Sequence, residues 1–97
     1  MAKGYWIVNN MVTDADTYKS YQAANAAPLA EFGARFLVRA GTQQGREGQT
    51  FPRSVIIEFP SYADAIACYE SKGYAAAKAV RDTAAEGTLV IVQGYDD

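Results

Sequence analysis

Histidine is missing from this chain altogether, which removes the commonest metal ligand and the commonest general base together. Ser-His-Asp triads, His-ligated haem and His-containing zinc sites are thereby excluded. Cysteine is almost as scarce. Cys68 stands alone, so no intrachain disulfide can form, and a reducing, cytoplasmic setting is expected. A lone Cys on a helix reads as a small buried apolar residue, whereas a reactive thiol needs an electropositive, partly exposed setting. No stretch approaches the ~18 consecutive apolar residues of a membrane span. The N-terminus, Met1-Ala2-Lys3-Gly4, runs directly into a strand-like segment without the charged region, apolar run and cleavage site of a leader. A soluble protein is expected. Neither sign of charge dominates: nine Lys and Arg against eleven Asp and Glu give a net charge of −2. The basic residues are scattered, so the sequence carries no footprint of a nucleic-acid binder, and membrane-surface binding is disfavoured for the same reason.

What is present is an ordinary globular composition, 49% hydrophobic and 21% charged in 97 residues, enough for one domain over 1–97 and too little for a second core. A chain this short buries only about 60 to 65% of its unfolded surface, so association is a cheap route to added stability.

Tyr5-Trp6-Ile7-Val8, within 3–10, is an aromatic and β-branched run that predicts an inner strand apolar on both faces. Thr13 and Asp14 supply N-cap chemistry for a helix carrying Tyr18, Tyr21, Leu29 and Phe32, with Gly33 as its stop. Pro28 predicts a kink, or two pieces meeting near Ala26 and Ala27. The segment 35–42 alternates, with Phe36, Val38 and Ala40 on one side and Arg35, Leu37 and Arg39 on the other. A polar loop over 43–52 leads to a strand over 54–59, where Val55, Ile57 and Phe59 alternate with Ser54, Ile56 and Glu58. After Pro60, Ser61 and Asp64 resemble a capping box opening a helix with Tyr62, Ala65, Ile66 and Tyr69 on one face. That helix should break near 71–73 and restart with Tyr74, Ala77, Val80, Arg81 and Ala84. Gly87 stops it, a strand follows over 89–93, and Asp96 and Asp97 form a short acidic tail.

The order β-α-β-β-α-β gives an α+β, ferredoxin-like sandwich: a four-stranded antiparallel sheet with helices on one face. The other sheet face keeps Leu37 and Ile56 and needs a cover. A second copy is the simplest one, because a two-fold dimer buries the same patch on both chains.

Gly33-Ala34-Arg35-Phe36-Leu37-Val38-Arg39-Ala40-Gly41, then Glu47-Gly48, Val55-Ile56-Ile57-Glu58-Phe59-Pro60-Ser61, Ala65, Tyr69-Glu70-Ser71-Lys72-Gly73-Tyr74 and Arg81 form an ordered series over nearly the whole chain. The series resembles the uncharacterised family called domain of unknown function 1330. The resemblance implies a dimeric α/β barrel, in which two ferredoxin-like sheets pair face to face, and brings no established activity. Relatives in that superfamily include cofactor-free oxygenases, haem-degrading enzymes, isomerases and plain ligand binders, so fold analogy cannot choose a chemistry. The family pattern often has Gly at the positions of Ala34 and Ala40, and Trp where Cys68 stands. The Gly-to-Ala changes are expected to matter little, and Cys68 to leave a helix face less filled.

Arg39 and Glu58 are expected on adjacent strands, on the dimer-facing side. Opposite each other they could form an ion pair that fixes sheet or dimer register, or Glu58 could orient Arg39 to bind an anion. Tyr18, Tyr21, Tyr69 and Tyr74, with Arg81 seven residues after Tyr74, either fill the core or line a cleft for an aromatic or carboxylated ligand. Ser71, at the helix break, is a junction residue or an anion-binding hydroxyl, and a poor nucleophile without a His base. Asp14, Asp16 and Asp64 stand where helix starts favour acids, so no metal and no cofactor is expected. Two functions remain open: a homodimeric small-molecule-binding domain, extending to a cofactor-free enzyme on a small organic acid or aromatic compound, or a non-catalytic dimeric scaffold or regulatory protein.

Overall fold

The computed structural model describes residues 2–95, so the acidic tail Asp96 and Asp97 lies outside the described residues. Seven elements follow one another: β1 (Gly4–Val12), α1 (Ala15–Glu31), β2 (Arg35–Arg39), β3 (Arg53–Phe59), α2 (Tyr62–Glu70), α3 (Lys72–Arg81) and β4 (Ala85–Gln93). The strands form one antiparallel sheet in the order β2-β3-β1-β4, so β1 is an inner strand and β2 and β4 are edges. All helices lie on one face. Trp6, Val55, Ile57 and Phe59 point from the sheet into that layer and meet Tyr18, Tyr21, Leu29, Ala65, Cys68, Tyr74 and Ala77. Trp6 centres the core, its ring 4.8 Å from Tyr74 and 5.1 Å from Phe59, with its indole N–H donating to the Ala65 carbonyl at 2.9 Å.

The helix starts follow their capping residues. The Asp14 carboxylate accepts from the Thr17 amide at 3.1 Å and the Thr17 hydroxyl at 2.8 Å, and these bonds hold its pKa below the usual carboxylate value. Ser61 accepts from the Asp64 amide at 3.0 Å. The break at Ser71 is real: this residue caps the end of α2 and the start of α3. Its hydroxyl donates to the Cys68 carbonyl at 2.7 Å and accepts from the Tyr74 amide at 3.2 Å.

Three expectations change. Pro28 neither splits nor ends α1, which runs as one helix to Glu31. Only the final turn follows it, so the proline removes a single helical hydrogen bond near the end. Gly87 does not stop a helix; it lies inside β4, which begins at Ala85 and pairs along the whole of β1. With φ +149° and no side chain, Gly87 lets its strand close on Asn9 and Asn10, where a Cβ would strike backbone.

The third change is a β-bulge. Phe36 is paired with Ile57 and Val38 with Ile56, leaving Leu37 as an extra residue. An extra residue reverses the alternation beyond it. Arg39 therefore stands opposite Val55 on the helix side, and the expectation that it shares the dimer-facing side with Glu58 is overturned. Glu58 faces the bare side, opposite Arg35 and Tyr5, and its carboxylate lies 3.8 Å from the Lys3 ammonium.

That bare face carries Ile7, Met11, Val90 and Val92, each exposed by more than a third of its surface, together with half-buried Ile56 and Val38.

Candidate functional site

The helix-side residues of β1 alternate as Trp6, Val8 and Asn10, and those of β3 as Arg53, Val55 and Ile57. Asn10 and Arg53, paired across the two strands, therefore place polar groups on the helix side beneath α1. From α1, Tyr18, Tyr21 and Asn25 recur at spacings of three and four and descend onto the same place, because such residues share one helix face. Arg39 arrives by way of the bulge and Arg81 from the last turn of α3. Together they line a narrow cleft with a free volume of about 30 Å3, room for roughly two water-sized groups. Beside it lies a broader hollow of about 260 Å3 between the end of α3 and the start of β4. Val8, Asn10 and Arg81 border both.

Two hydrogen-bonded groups organise the walls. In the first, the Arg53 guanidinium donates to the Tyr18 hydroxyl at 2.7 Å and lies over that ring, 4.9 Å from its centre. The Asn10 amide nitrogen reaches the same hydroxyl at 3.5 Å, while Asn10 Oδ1 is buried with no partner. In the second, the Tyr21 and Tyr74 hydroxyls lie 2.8 Å apart, and Arg81 donates to Tyr74 at 3.0 Å. Burial pushes the Tyr74 hydroxyl far above the usual phenol range; Tyr21 adds to this and Arg81 opposes it. Tyr74 is thus a neutral donor and acceptor. Burial works against the charge on Arg81, but Tyr74, Tyr21 and Asp82 outweigh it, and the guanidinium pKa is raised.

The electrostatics are one-sided. Arg39, Arg53 and Arg81 line the narrow cleft, and no Asp or Glu does so among the described residues. Arg39 rests over the Phe36 ring at 4.5 Å, and neither it nor Arg53 has a carboxylate within 4.0 Å among the described residues. Asp82 and Glu86 border only the broader hollow. Asp82 is engaged there by Lys78 at 2.9 Å and Arg81 at 3.5 Å, and its pKa is lowered first by the Lys78 hydrogen bond. Arg53 and Arg81 are half-buried and Arg39 is exposed at the rim; guanidiniums brought to one cleft repel one another, and a bound anion relieves that repulsion through charge-assisted, bidentate hydrogen bonds.

Of the residues singled out from sequence, Tyr18, Tyr21, Arg39 and Arg81 meet at this cleft. Tyr74 stands behind it, fully buried. Tyr69 packs against Tyr74 and Trp6, at ring distances of 5.5 and 5.9 Å, and fills core. Ser71 spends its hydroxyl on the helix junction, and Glu58 is on the opposite sheet face. Sequence reasoning missed Arg53, Asn10 and Asn25. The signal was available for the first two: the alternation through Val55 and Ile57 extends back to Arg53, and that through Trp6 and Val8 extends to Asn10. A polar residue at a core-facing position is what marks a site. Among the described residues, no group of three or more Cys, Asp or Glu side chains gathers as a metal would require.

A four-stranded antiparallel sheet in this order, covered by helices on one face, defines a ferredoxin-like α+β protein. Within that class, residues 3–95 match the family Domain of unknown function (DUF1330), and the chain belongs to it. Solved structures agree on the fold. A protein of unknown function from Rhodopseudomonas palustris superposes with a TM-score of 0.76 at 14% identity, covering 99% of this chain and 85% of that one. SnoaB, a cofactor-independent oxygenase from Streptomyces nogalater, gives 0.63 at 12% identity over 100% and 97% of the two chains. A dimeric protein of unknown function and ferredoxin-like fold from Bacteroides fragilis gives 0.59 at 14% identity, over 99% and 96%. No curated protein matches the sequence. No helix among the described residues is long and apolar enough to cross a membrane.

Proposed function

We propose that this chain is a homodimeric, cytoplasmic small-molecule-binding domain whose cleft takes a small organic acid. The observation that carries this reading is the convergence of Arg39, Arg53 and Arg81 on one cleft without an acidic side chain. Tyr18, Tyr21 and Phe36 supply aromatic walls, so a carboxylate held by guanidinium and a flat or compact body against rings is the complementary ligand. The free volumes favour a compact molecule over a polycyclic one.

The bare sheet face supports the dimer, since Ile7, Val90 and Val92 stay exposed on it in a small domain. A second copy laid on that face would make the α/β barrel of the superfamily, and the dimeric neighbour from Bacteroides fragilis supports such an assembly. The similarity in fold to a cofactor-independent oxygenase fits an extension of this reading to catalysis without a cofactor. In that case Tyr18 is the proton-carrying group at the cleft, and the guanidiniums stabilise developing negative charge.

The test is a thermal-shift screen of small carboxylates and their amides against wild type and Arg53→Ala. Carboxylates should raise the melting temperature of the wild type, their amides should not, and Arg53→Ala should lose the shift. If no carboxylate shifts the wild type, the proposal fails. The second reading, a non-catalytic scaffold, is favoured by one feature: Tyr69 and Tyr74 fill core instead of opening the interior. It predicts that failure, together with an unchanged dimer.

A further inference from the structure

The chemistry of the ligand can be narrowed at Asn10, an inference that rests on the acid-binding reading above. Asn10 lies on the inner strand β1, 4% exposed, with Arg53 across on one side and Gly87 across on the other. Gly87 presents no side chain, and the broader hollow opens beside Asn10 there. The amide nitrogen faces Tyr18; Oδ1 is buried without a donor among the described residues, and Asn10 as a residue borders both cavities. A buried acceptor left without a partner is costly and uncommon in a settled fold. Beside the guanidiniums of the cleft, it is the buried side-chain acceptor left unpaired among the described residues, and a ligand hydrogen would satisfy it.

We infer that the ligand is a hydroxylated carboxylate, its carboxylate held by the guanidiniums and its hydroxyl donating to Asn10 Oδ1. The donor is a neutral hydroxyl and not an ammonium, because Arg39, Arg53 and Arg81 on the narrow cleft repel a second positive charge, and of the two carboxylates on the broader hollow Asp82 is already engaged by Lys78 and Arg81. Val8, Asn10 and Arg81 border both cavities, so one ligand can meet Arg81 and Asn10 together. The hydroxyl therefore belongs close to the carboxylate, as in a 2- or 3-hydroxy acid. A simple acid without the hydroxyl would bury Oδ1 unpaired and bind more weakly.

The experiment is calorimetric titration of the full chain with matched pairs: glycolate and acetate, lactate and propionate, mandelate and phenylacetate, with O-methylmandelate as a hydroxy acid stripped of its donor. Wild type should bind the hydroxy acid of a pair about tenfold or more tightly than its partner, the factor expected when a buried group loses its hydrogen bond. O-methylmandelate should behave like phenylacetate. In Asn10→Leu the preference should fall to about threefold or less. Equal binding of both members by wild type would overturn the inference and leave the acid site standing; the Asn10 amide would then be turned with its oxygen on Tyr18. A preference that survives Asn10→Leu would overturn the assignment to Asn10. Should no acid bind, the acid-binding reading and this inference fall together. The wild-type comparison stands even if Asn10→Leu does not fold.

Discussion

Removing one oxygen atom, by Tyr74→Phe, should cost this small domain a large share of its stability. Tyr74 is fully buried, and its hydroxyl is bonded both to Tyr21 at 2.8 Å and to Arg81 at 3.0 Å. The substitution leaves little void, so the loss is chiefly polar. The Tyr21 hydroxyl, on a residue 7% exposed at the cleft wall, loses its partner, and Arg81, with its side chain 17% exposed, recovers only part of its hydration. A buried group left unsatisfied costs about 1–3 kcal/mol, and hydrogen bonds to charged groups lie at the upper end, so about 2 to 3 kcal/mol is expected. Against a total of roughly 5–15 kcal/mol for a domain of this length, that lowers the melting temperature by roughly 10 to 20 °C. The pH dependence gives an independent signature. Tyr74 is held far above the ordinary phenol pKa by burial, so its contribution is complete below about pH 10 and declines as pH rises beyond it. The unfolded chain releases this proton there and the folded chain does not. Wild type should thus lose about 1 kcal/mol between pH 10 and 11 in excess of the variant, the slope nearing about 1.4 kcal/mol per pH unit only well above pH 10. Urea unfolding of wild type, Tyr21→Phe, Tyr74→Phe and the double variant between pH 7 and 11 measures both effects. The double-mutant cycle should show a coupling of about 1 kcal/mol. A Tyr74→Phe protein within about 0.5 kcal/mol of wild type, with the same alkaline slope, would refute the polar account of this core.

Ala40 holds φ +60°, a left-handed conformation that costs a residue with a Cβ about 1 kcal/mol. Ala40→Gly should therefore be neutral to stabilising by about 0.5 kcal/mol in urea unfolding, and clear destabilisation would contradict it. Cys68 is fully buried, and burial, with Glu31 adding to it, pushes its thiol up to about 11. At pH 8 about one thiol in a thousand would be ionised, so an aromatic disulfide reagent should leave the folded protein unmodified and label one equivalent in urea; rapid labelling of the native protein would count against the burial. Val90, 54% exposed on the bare sheet face, is the place to break the proposed dimer. Light scattering should give a dimer mass for wild type and a monomer mass for Val90→Lys, and an undiminished dimer in the variant would move the interface elsewhere.

How much of this was legible in the sequence depends on which physical signal each element uses. The caps at Asp14 and Ser61 and the break at Ser71 are local chemistry, each a side chain bonding to an amide three residues on, and such signals survive without tertiary context. Alternation in β1 and β3 identified the strands and, followed past Val8 and back from Val55, would have yielded Asn10 and Arg53. Gly87 misled because glycine carries two meanings. It ends helices where φ must turn positive, and it admits a close backbone neighbour inside a sheet. Only the approach of Asn9 and Asn10 decides between them. Pro28 misled in a similar way, since its effect depends on how many turns follow it.

Arg39 is the deeper case, because no reading of β2 alone could place it. Strict alternation sets Arg39 with Arg35, Leu37 and Glu58 on the outer face, where a second guanidinium would lie in the proposed interface. The bulge at Leu37 turns the chain so that Phe36 and Arg39, three residues apart, share the helix side. Nothing in Arg35-Phe36-Leu37-Val38-Arg39 announces an extra residue; what selects it is the partner strand. Without the bulge, Arg39 would face outward and Val38 would take its place opposite Val55, giving an apolar wall and one fewer positive charge in the cleft. With it, Val38 joins Ile56 on the outer face and makes that face more apolar, while Arg39 makes the cleft more basic. One inserted residue therefore sharpens both surfaces at once, the sheet face toward a second copy and the cleft toward an acid. That is the pattern expected of a bulge kept for function, since bulges gather where a side chain has to be re-aimed.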